Sequence, residues 1–513
     1  MTWNDYRFKN LSKAILSLSL CSLLSINLYA QQPELNQTFG TNGIATLQKS
    51  SNVNIAKTLS DKSLLTASYN MREGTLDRYD LIVSKLKPDG NLDLDFGSQG
   101  YTTTEIMYSG YPLDIEVLED NSFIVLGSAY AGPTPNGPGL YYGFATRYNA
   151  QGIIESSFGA NGISYAQFSG SHYTNAIALE DGSFLLAGNI GNYAALTKVT
   201  ANGQLDNSYG SMGIKYINAN GFNMLMWEAQ KLANGNLLIV GFEMNNAEQY
   251  TSVACRVDID GNLDAGFGNG GVVKFDANEN VLSPEEYFCK AIVMNDGSYL
   301  FLGQKGVAYL IKTDASGAII PTFGTNGIQD LAFGYKDVKV DNTNTIWLAG
   351  STFIEDYNMG YTLAKLNADG RYNSEWGNNG HFNIDISTGN DLGEGLLLQD
   401  TETILLYGSH RKTSGSKGCI ISIKKNETVA VKDINIDPKY KIYPNPFNDA
   451  LYFEGDINTI ENFSLYEVTG KLLWQQDHLS KAQPVLSSLS RGTYILNCLF
   501  KNGSQQSHTL VKP

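Results

Sequence analysis

Short runs that alternate apolar and polar positions fill most of the chain, and a glycine follows nearly every run. Ala176-Ile177-Ala178-Leu179 leads into Glu180-Asp181-Gly182 and then into Phe184 to Gly188. The same plan returns at Ile115 to Gly127, Ala229 to Gly241, Ala291 to Gly303, Val338 to Gly350 and Leu396 to Gly408, while the earliest copy has Ala67 in the glycine's place. A third run, such as Ala194 to Val199 or Thr362 to Leu366, ends at Asp89-Gly90, Asn202-Gly203, Asp260-Gly261 or Asp369-Gly370 in the respective copies. Period-two alternation buries one face of a strand, and Asp-Gly or Asn-Gly tolerates the positive φ of a tight hairpin turn. The pattern predicts short antiparallel strands joined as meanders.

A second motif, L-x-x-x-(F/Y/W)-G-x-x-G, closes each copy. Its aromatic positions are Phe39, Phe96, Phe158, Tyr209, Phe267, Phe323 and Trp376. They recur about every 56 residues, the signature of one repeated structural unit. Each unit reads as four strands, A to D, and a lone four-stranded sheet must stack on neighbours to bury both faces. The chain opens on a D-type motif at Leu35 and ends the repeat with an A–B–C set from Leu396 to about Ile423. The opening strand is therefore expected to complete the last sheet. The expected fold is all-β: a seven-bladed β-propeller over residues 31–426, with a shorter-coiled open solenoid as the alternative. The aromatic–glycine pairs resemble the delta-60 repeat family from about Leu35 to Asn426. That resemblance implies a fold and no activity, since propellers carry many functions. The aromatics are read as packing between blades.

After a charged linker at 427–439 the pattern changes. Ile442 to Phe447, Asp449 to Phe453, Phe463 to Tyr466, Tyr494 to Phe500 and His508 to Val511 predict a small C-terminal antiparallel β-sandwich over 440–513. Tyr443-Pro444-Asn445-Pro446, Val468-Thr469-Gly470-Lys471 and Gly492-Thr493-Tyr494, in that order, resemble the three motifs of the type A C-terminal sorting domain of the Bacteroidetes type IX secretion system. The resemblance implies general export, outer-membrane passage by the type IX machinery, and usually removal of this domain with attachment to surface lipopolysaccharide or release. At the other end, Arg7, Lys9 and Lys13 precede an apolar Ala14 to Leu28 and the small Ala30, so residues 1–30 read as a secretory signal peptide. Leu20 is too bulky for lipoprotein processing at Cys21. No later apolar run reaches the roughly 20 residues of a transmembrane helix.

Composition sharpens the picture only in part. The 52 glycines and 30 tyrosines suit a turn-rich all-β chain. A net charge of −15 repels phosphate backbones, which argues against nucleic acid as a partner. Cys255, Cys289, Cys419 and Cys498 lack metal-ligand spacing and read as buried thiols, with a Cys255–Cys289 disulfide the lesser alternative.

Candidate chemistry is sparse. Hydrolase, zinc-protease and phosphate-loop motifs are missing, and His172, His381, His410, His478 and His508 are isolated. Asp258, Asp260 and Asn262 start like a calcium loop, but Leu263 and Asn269 stand where Gly and Glu belong, so a turn is expected. No cofactor, metal or catalytic residue is assigned, and a monomer is expected. In a meander the B–C and D–A loops share one face, and here they vary most; such loops carry binding residues on a rigid scaffold. The longest are Ala129 to Tyr142, with Tyr141 and Tyr142, and Phe275 to Tyr287, with Glu279, Glu285 and Glu286. Strand A should line the channel from that face, which places Ile55, Asp114, Asn175, Glu228, Lys290, Asp337 and Gly395 at equivalent mouth positions. Asp114, Asn175, Glu228, Lys290 and Asp337 are candidate contacts for a small polar or cationic ligand or a metal. The leading expectation is a non-catalytic surface binding protein for a glycan or protein. A secreted glycan hydrolase or lyase using Asp114, Glu228 or Asp337 is the alternative, and a structural spacer or adhesin a third.

Overall fold

A computed structural model describes residues 32–425 and 441–513, apart from 135–138, 220–221, 245–249, 276–286, 306, 356–357, 388, 413–414, 455, 457–458, 468–470, 478, 480–482 and 502–504. The expected signal peptide and linker lie outside the described residues. The chain divides into two compact units, Met1–Asn426 and Glu427–Pro513.

The larger unit is built from four-stranded antiparallel meanders whose strands follow chain order. Ile55–Thr58, Leu64–Met71, Tyr79–Leu86 and Tyr101–Thr104 form the first, and Ser109–Val117, Phe123–Tyr130, Tyr141–Tyr148 and Ile163–Tyr165 the second. One parallel bridge, Tyr79 to Ser109, joins these two into a single sheet. Further meanders begin at the strands Ser171–Ala178, Phe222–Lys231, Tyr287–Val293 and Gly334–Val340. The remaining sheet combines Asp391–Leu398, Thr403–Lys412 and Gly415–Lys424 with chain from the other end of the repeat. Glu34–Leu35 pairs with Lys424 and Ile423, and Ile44–Leu47 pairs with Ile421 to Gly418. The split last sheet anticipated from the motif order is thus present.

The aromatic–glycine motif joins each meander to the next. Phe39 packs its ring on the Asp89-Gly90 turn, where an added β-carbon at Gly90 would stand 2.8 Å from the ring, and Gly40 N–H donates to Asp89 O at 2.7 Å. Equivalent glycine-on-ring contacts join Gly152 to Phe96, Gly203 to Phe158, Gly317 to Phe267 and Gly370 to Phe323. Where the ring is polar, its heteroatom makes the link: Tyr209 Oη donates to Ile259 O at 2.9 Å, and Trp376 Nε1 to Lys425 O at 3.1 Å. All seven aromatics are buried. Burial of a large ring contributes about 1.5–3 kcal/mol, and a side chain on the turn would leave the ring no space. The repeat therefore encodes the joint between neighbours as well as each sheet.

In the smaller unit, Leu472–Gln476, Ile460–Glu467, Gly492–Phe500 and Gln505–Lys512 form one sheet, in that order, and Lys441–Tyr443 pairs with Tyr452–Glu454. Phe447, Phe463, Leu465, Leu496 and Leu510 fill its core, as the alternating pattern anticipated. A short helix, Gln483–Ser488, was not foreseen. Proline at its second position suits a helix start, because the missing N–H would be unpaired there.

Candidate functional site

Six of the seven positions that alignment places at the channel mouth come together, and the seventh, Gly395, is not among the described residues lining the cavity they share. Ile55, Asp114, Asn175, Glu228, Lys290 and Asp337 line one cavity of about 460 Å³. A β-bulge aims most of them. Strand register slips between Pro112 and Asp114, Tyr173 and Asn175, Met226 and Glu228, Phe288 and Lys290, Tyr335 and Asp337, and Gly393 and Gly395. A bulge inserts one residue, bends the strand and re-aims the side chains beside it. It also explains the glycine that recurs within strand B. A β-carbon on Gly127 would collide with the Tyr111 carbonyl, and one on Gly408 with the Leu392 carbonyl, because the bulged strand swings its backbone across. The first meander, which has Ala67, pairs Ile55–Thr58 without any slip.

Each polar mouth side chain reaches to a neighbouring strand A. Asn175 Oδ1 accepts from Ala229 N–H at 2.9 Å, Glu228 Oε2 from Ala291 N–H at 2.7 Å and Asp337 Oδ2 from Leu396 N–H at 3.0 Å. Asn175 Nδ2 lies 3.5 Å from Asp114 Oδ2. Each acid also holds a lysine: Lys57 on Asp114 at 3.1 Å, Lys290 on Glu228 at 3.1 Å, and Lys339 on Asp337 at 3.2 Å. Burial alone would lower the Lys290 pKa, but the Glu228 and Asp337 carboxylates raise it above the ordinary lysine value. Asp114 raises Lys57 likewise. The acids thus join the meanders together, and their formal charges cancel against the lysines one for one.

Glu116 escaped the sequence reading although it follows Asp114 by the two-residue step that keeps a strand residue on the same face. Burial, then the nearby Asp114 carboxylate, push its pKa from 4.5 up to about 7, against the opposing pull of Lys57. A carboxyl that keeps its proton longer when folded adds stability at low pH, and this is lost as pH rises from about 4.5 through 7. Glu116→Gln should therefore gain on the parent protein across that window, by about 3 kcal/mol at most above pH 8, with no gain below pH 4. Paired melting curves at pH 4, 6 and 8 measure it; a constant offset between the two proteins would refute the assignment.

The bulge residues form an outer set that alignment on the A–B turn did not single out: Leu113, Thr174 and Trp227 line the cavity, and Lys336 pairs with Glu394 at 2.8 Å. Leu113 and Trp227 are exposed. Their positions were visible one residue before each predicted mouth residue, but only the slip reveals that both neighbours face the cavity. Tyr141 and Tyr142 are not among the described residues lining it. Tyr141 is exposed with its ring 4.9 Å from that of Tyr130, and Tyr142 is half-buried. Glu279, Glu285 and Glu286 lie outside the described residues. Cys255, Cys289, Cys419 and Cys498 are free thiols, and burial pushes Cys255 and Cys289 up to about 12, where they are poor nucleophiles. The Asp258 turn is closed on itself, Asn262 N–H donating to Asp258 Oδ1 at 2.8 Å. Among the described residues no cluster of His, Cys, Asp or Glu side chains could hold a metal ion, and no helix is long and apolar enough to cross a membrane.

In the smaller unit the motif residues hold its last strand. Asn445 Nδ2 donates to Thr509 O at 2.8 Å and Asn445 Oδ1 accepts from Val511 N–H at 2.8 Å. Pro444 and Pro446 flank that clamp, and both of their preceding peptide bonds are cis. Tyr443 packs its ring 5.8 Å from Tyr452. Tyr494 Oη donates to Ser490 O at 2.8 Å, bracing the turn into the strand that Gly492 begins. Lys471 is exposed, and Gly470 lies outside the described residues.

No curated protein matches the chain. Among solved structures it is similar to a Dyadobacter fermentans protein of unknown function, at 12% identity and TM-score 0.43, covering 75% of this chain and 99% of that one. It is also similar to the β-propeller domain of the trilobed protease from Pyrococcus furiosus, at 7% identity and TM-score 0.36, covering 72% and 94%. Prolyl oligopeptidase B from Galerina marginata is similar at 11% identity and TM-score 0.40, covering 95% and 58%. One family matches within the chain, the secretion system C-terminal sorting domain, over residues 441–512. The C-terminal unit is thus a type IX sorting tail, which directs the chain to secretion or attachment at the cell surface.

Proposed function

We propose that the chain is an exported, non-catalytic binding protein whose larger unit is a seven-bladed β-propeller of delta-60-like repeats, closed by its own opening strands. Residues 1–30 serve as the export signal, and the channel mouth takes the ligand. The supporting observation for closure is the Phe39 ring on the Asp89-Gly90 turn together with the pairing of Ile44–Leu47 against the Gly415–Lys424 strand.

The observation that carries the non-catalytic reading is the state of the mouth carboxylates. Asp114, Glu228 and Asp337 each hold a lysine, and Glu228 and Asp337 also accept backbone N–H bonds from the next meander. A glycoside hydrolase needs one carboxyl that holds a proton and another free to attack or to activate water. Glu116, with its pKa pushed up to about 7, is the one feature that favours the hydrolase reading. It is not among the described residues lining the mouth cavity, and its nearest described carboxylate neighbour, Asp114, is taken by Lys57. A soluble-glycan array and a glycosidase and lyase panel on the full chain separate the readings. Binding without turnover is expected. Turnover abolished by Glu116→Gln would replace this reading with the enzymatic one.

A further inference from the structure

One corner of the mouth breaks the repeat. The residue after the strand-B glycine, or after Ala67, is polar in the other meanders: Ser68, Ser128, Asn189, Gln304, Ser351 and Ser409. Several of these tether the next strand A. Asn189 bonds both the N–H and the C=O of Met226, at 2.7 and 2.8 Å; Gln304 Nε2 donates to Tyr335 O at 2.6 Å; Ser351 Oγ accepts from Gly393 N–H at 2.8 Å. In the meander that begins at Phe222–Lys231 this position is Phe242, which cannot make such a bond. Its ring instead lies 6.2 Å from Tyr287, on the next strand A, and 4.8 Å from Tyr250.

Beside it stands Trp227, the bulge residue of the same meander. Its indole stacks on Tyr287, with centroids 5.3 Å apart and planes at 22°, and remains 48% exposed while lining the cavity. The half-exposed indole, held by a rigid aromatic support and bordering the cavity, offers a flat apolar face that a ligand can cover. Because Trp227 and Tyr287 are nearly parallel, the pair offers one flat face rather than an enclosing box. The surrounding charges are already matched: Lys57 with Asp114, Lys290 with Glu228, Lys339 with Asp337. A cation would meet the Lys290 ammonium, and an anion would meet carboxylates already engaged. What remains is an uncharged ligand with one apolar face and polar edges, in a cavity whose size lies within the range of small-molecule sites.

The geometry points to Trp227, supported by Tyr287 and Phe242, as a stacking platform for a neutral pyranose ring of a glycan. A pyranose presents a face of C–H groups to an aromatic plane while its hydroxyls point outward to polar side chains such as Thr174, Asn175 and His172, all on the cavity wall. This assignment rests on the binding reading above and narrows it to a ligand class.

The test titrates the full-length protein with cellohexaose, mannohexaose, xylohexaose, maltoheptaose and chitohexaose, with hexagalacturonate and choline as charged arms, by calorimetry and indole fluorescence. At least one neutral oligosaccharide should bind and shift the indole emission. Trp227→Ala should weaken it at least tenfold with an unchanged melting temperature, while Trp227→Phe stays within about threefold. Saccharide binding untouched by Trp227→Ala would overturn the platform but leave a binding protein. Preference for choline or hexagalacturonate over every neutral sugar would overturn the ligand class alone. Binding of none of these probes would also overturn the ligand class, and cleavage of one would overturn the proposed function itself.

Discussion

Deleting residues 32–48 while keeping the export signal is expected to leave the larger unit unable to reach a protease-resistant state. The segment supplies two lengths of strand to Gly415–Lys424, through the pairs Leu35 to Ile423 and Ile44 to Ile421. It also adds Asn36 N–H to Ser422 O at 2.8 Å and Ser422 N–H to Gly43 O at 2.9 Å. Phe39, Ala45 and Leu47 are buried in one cluster with Ala56, Leu64 and Leu86 of the first meander and Leu405, Tyr407 and Ile420 of the last. At about 1.5–3 kcal/mol for each large side chain, plus a newly bare sheet edge, the loss approaches the whole 5–15 kcal/mol margin of a typical domain. Limited proteolysis and thermal melting measure it. A permuted chain that carries residues 32–48 on a flexible linker after Lys425 should recover the fold, because the same strand pairs are restored. Unchanged melting of the truncated protein would remove the closure argument.

Asp337→Ala is expected to cost about 3–5 kcal/mol. The side chain is 3% exposed. Its carboxylate accepts from Val338 N–H at 3.0 Å and from Leu396 N–H at 3.0 Å, and it holds Lys339. Alanine takes the side-chain acceptor from two buried N–H groups, Val338 and Leu396, and the ion-pair partner from Lys339, and an orphaned buried polar group costs more than the bond it made. Asp337→Asn keeps an acceptor for Leu396 and should lose roughly half as much. Denaturant titration of the larger unit reads both variants. A loss below about 1 kcal/mol for the alanine would show that the acid is not a joint between meanders.

What could be read from residues depended on whether both partners of an interaction carry a local signature. Phe39 and Asp89-Gly90 each belong to a recurring motif, so the joint between meanders was legible as buried aromatic packing. The mouth set Asp114, Asn175, Glu228, Lys290 and Asp337 was legible by counting back from the A–B turn. The bulges were not, because one inserted residue leaves the period-two pattern intact on either side, and only the strand-B glycine hints at it. Lys57 and Lys339 were missed because no motif links them to Asp114 and Asp337; the folded geometry alone makes those pairs. Phe242 was visible as a departure once the repeats were aligned, whereas Trp227 sits at a position that differs in every meander, and the significance of both depends on Tyr287 arriving from the next meander. Tyr141 and Tyr142, chosen for loop length alone, do not join the cavity lining. Length of a loop says how much chain is available, not where its side chains settle.

The sheet that contains both Glu34–Leu35 and Gly415–Lys424 has a consequence for biogenesis. Its outer strands emerge from the ribosome first and its inner ones nearly four hundred residues later, so this sheet has the largest sequence separation in the larger unit and should be among the last elements to settle. Until residue 424 has left the export channel, Ile44–Leu47 lacks its partner strand and the apolar side chains of the first meander await theirs. The sorting tail follows directly behind that point, at 441–512. A nascent chain halted before Gly415 lacks both the tail and the strand that pairs with Glu34–Leu35 and Ile44–Leu47, so completion of the fold and delivery of the export label fall within about ninety residues of synthesis.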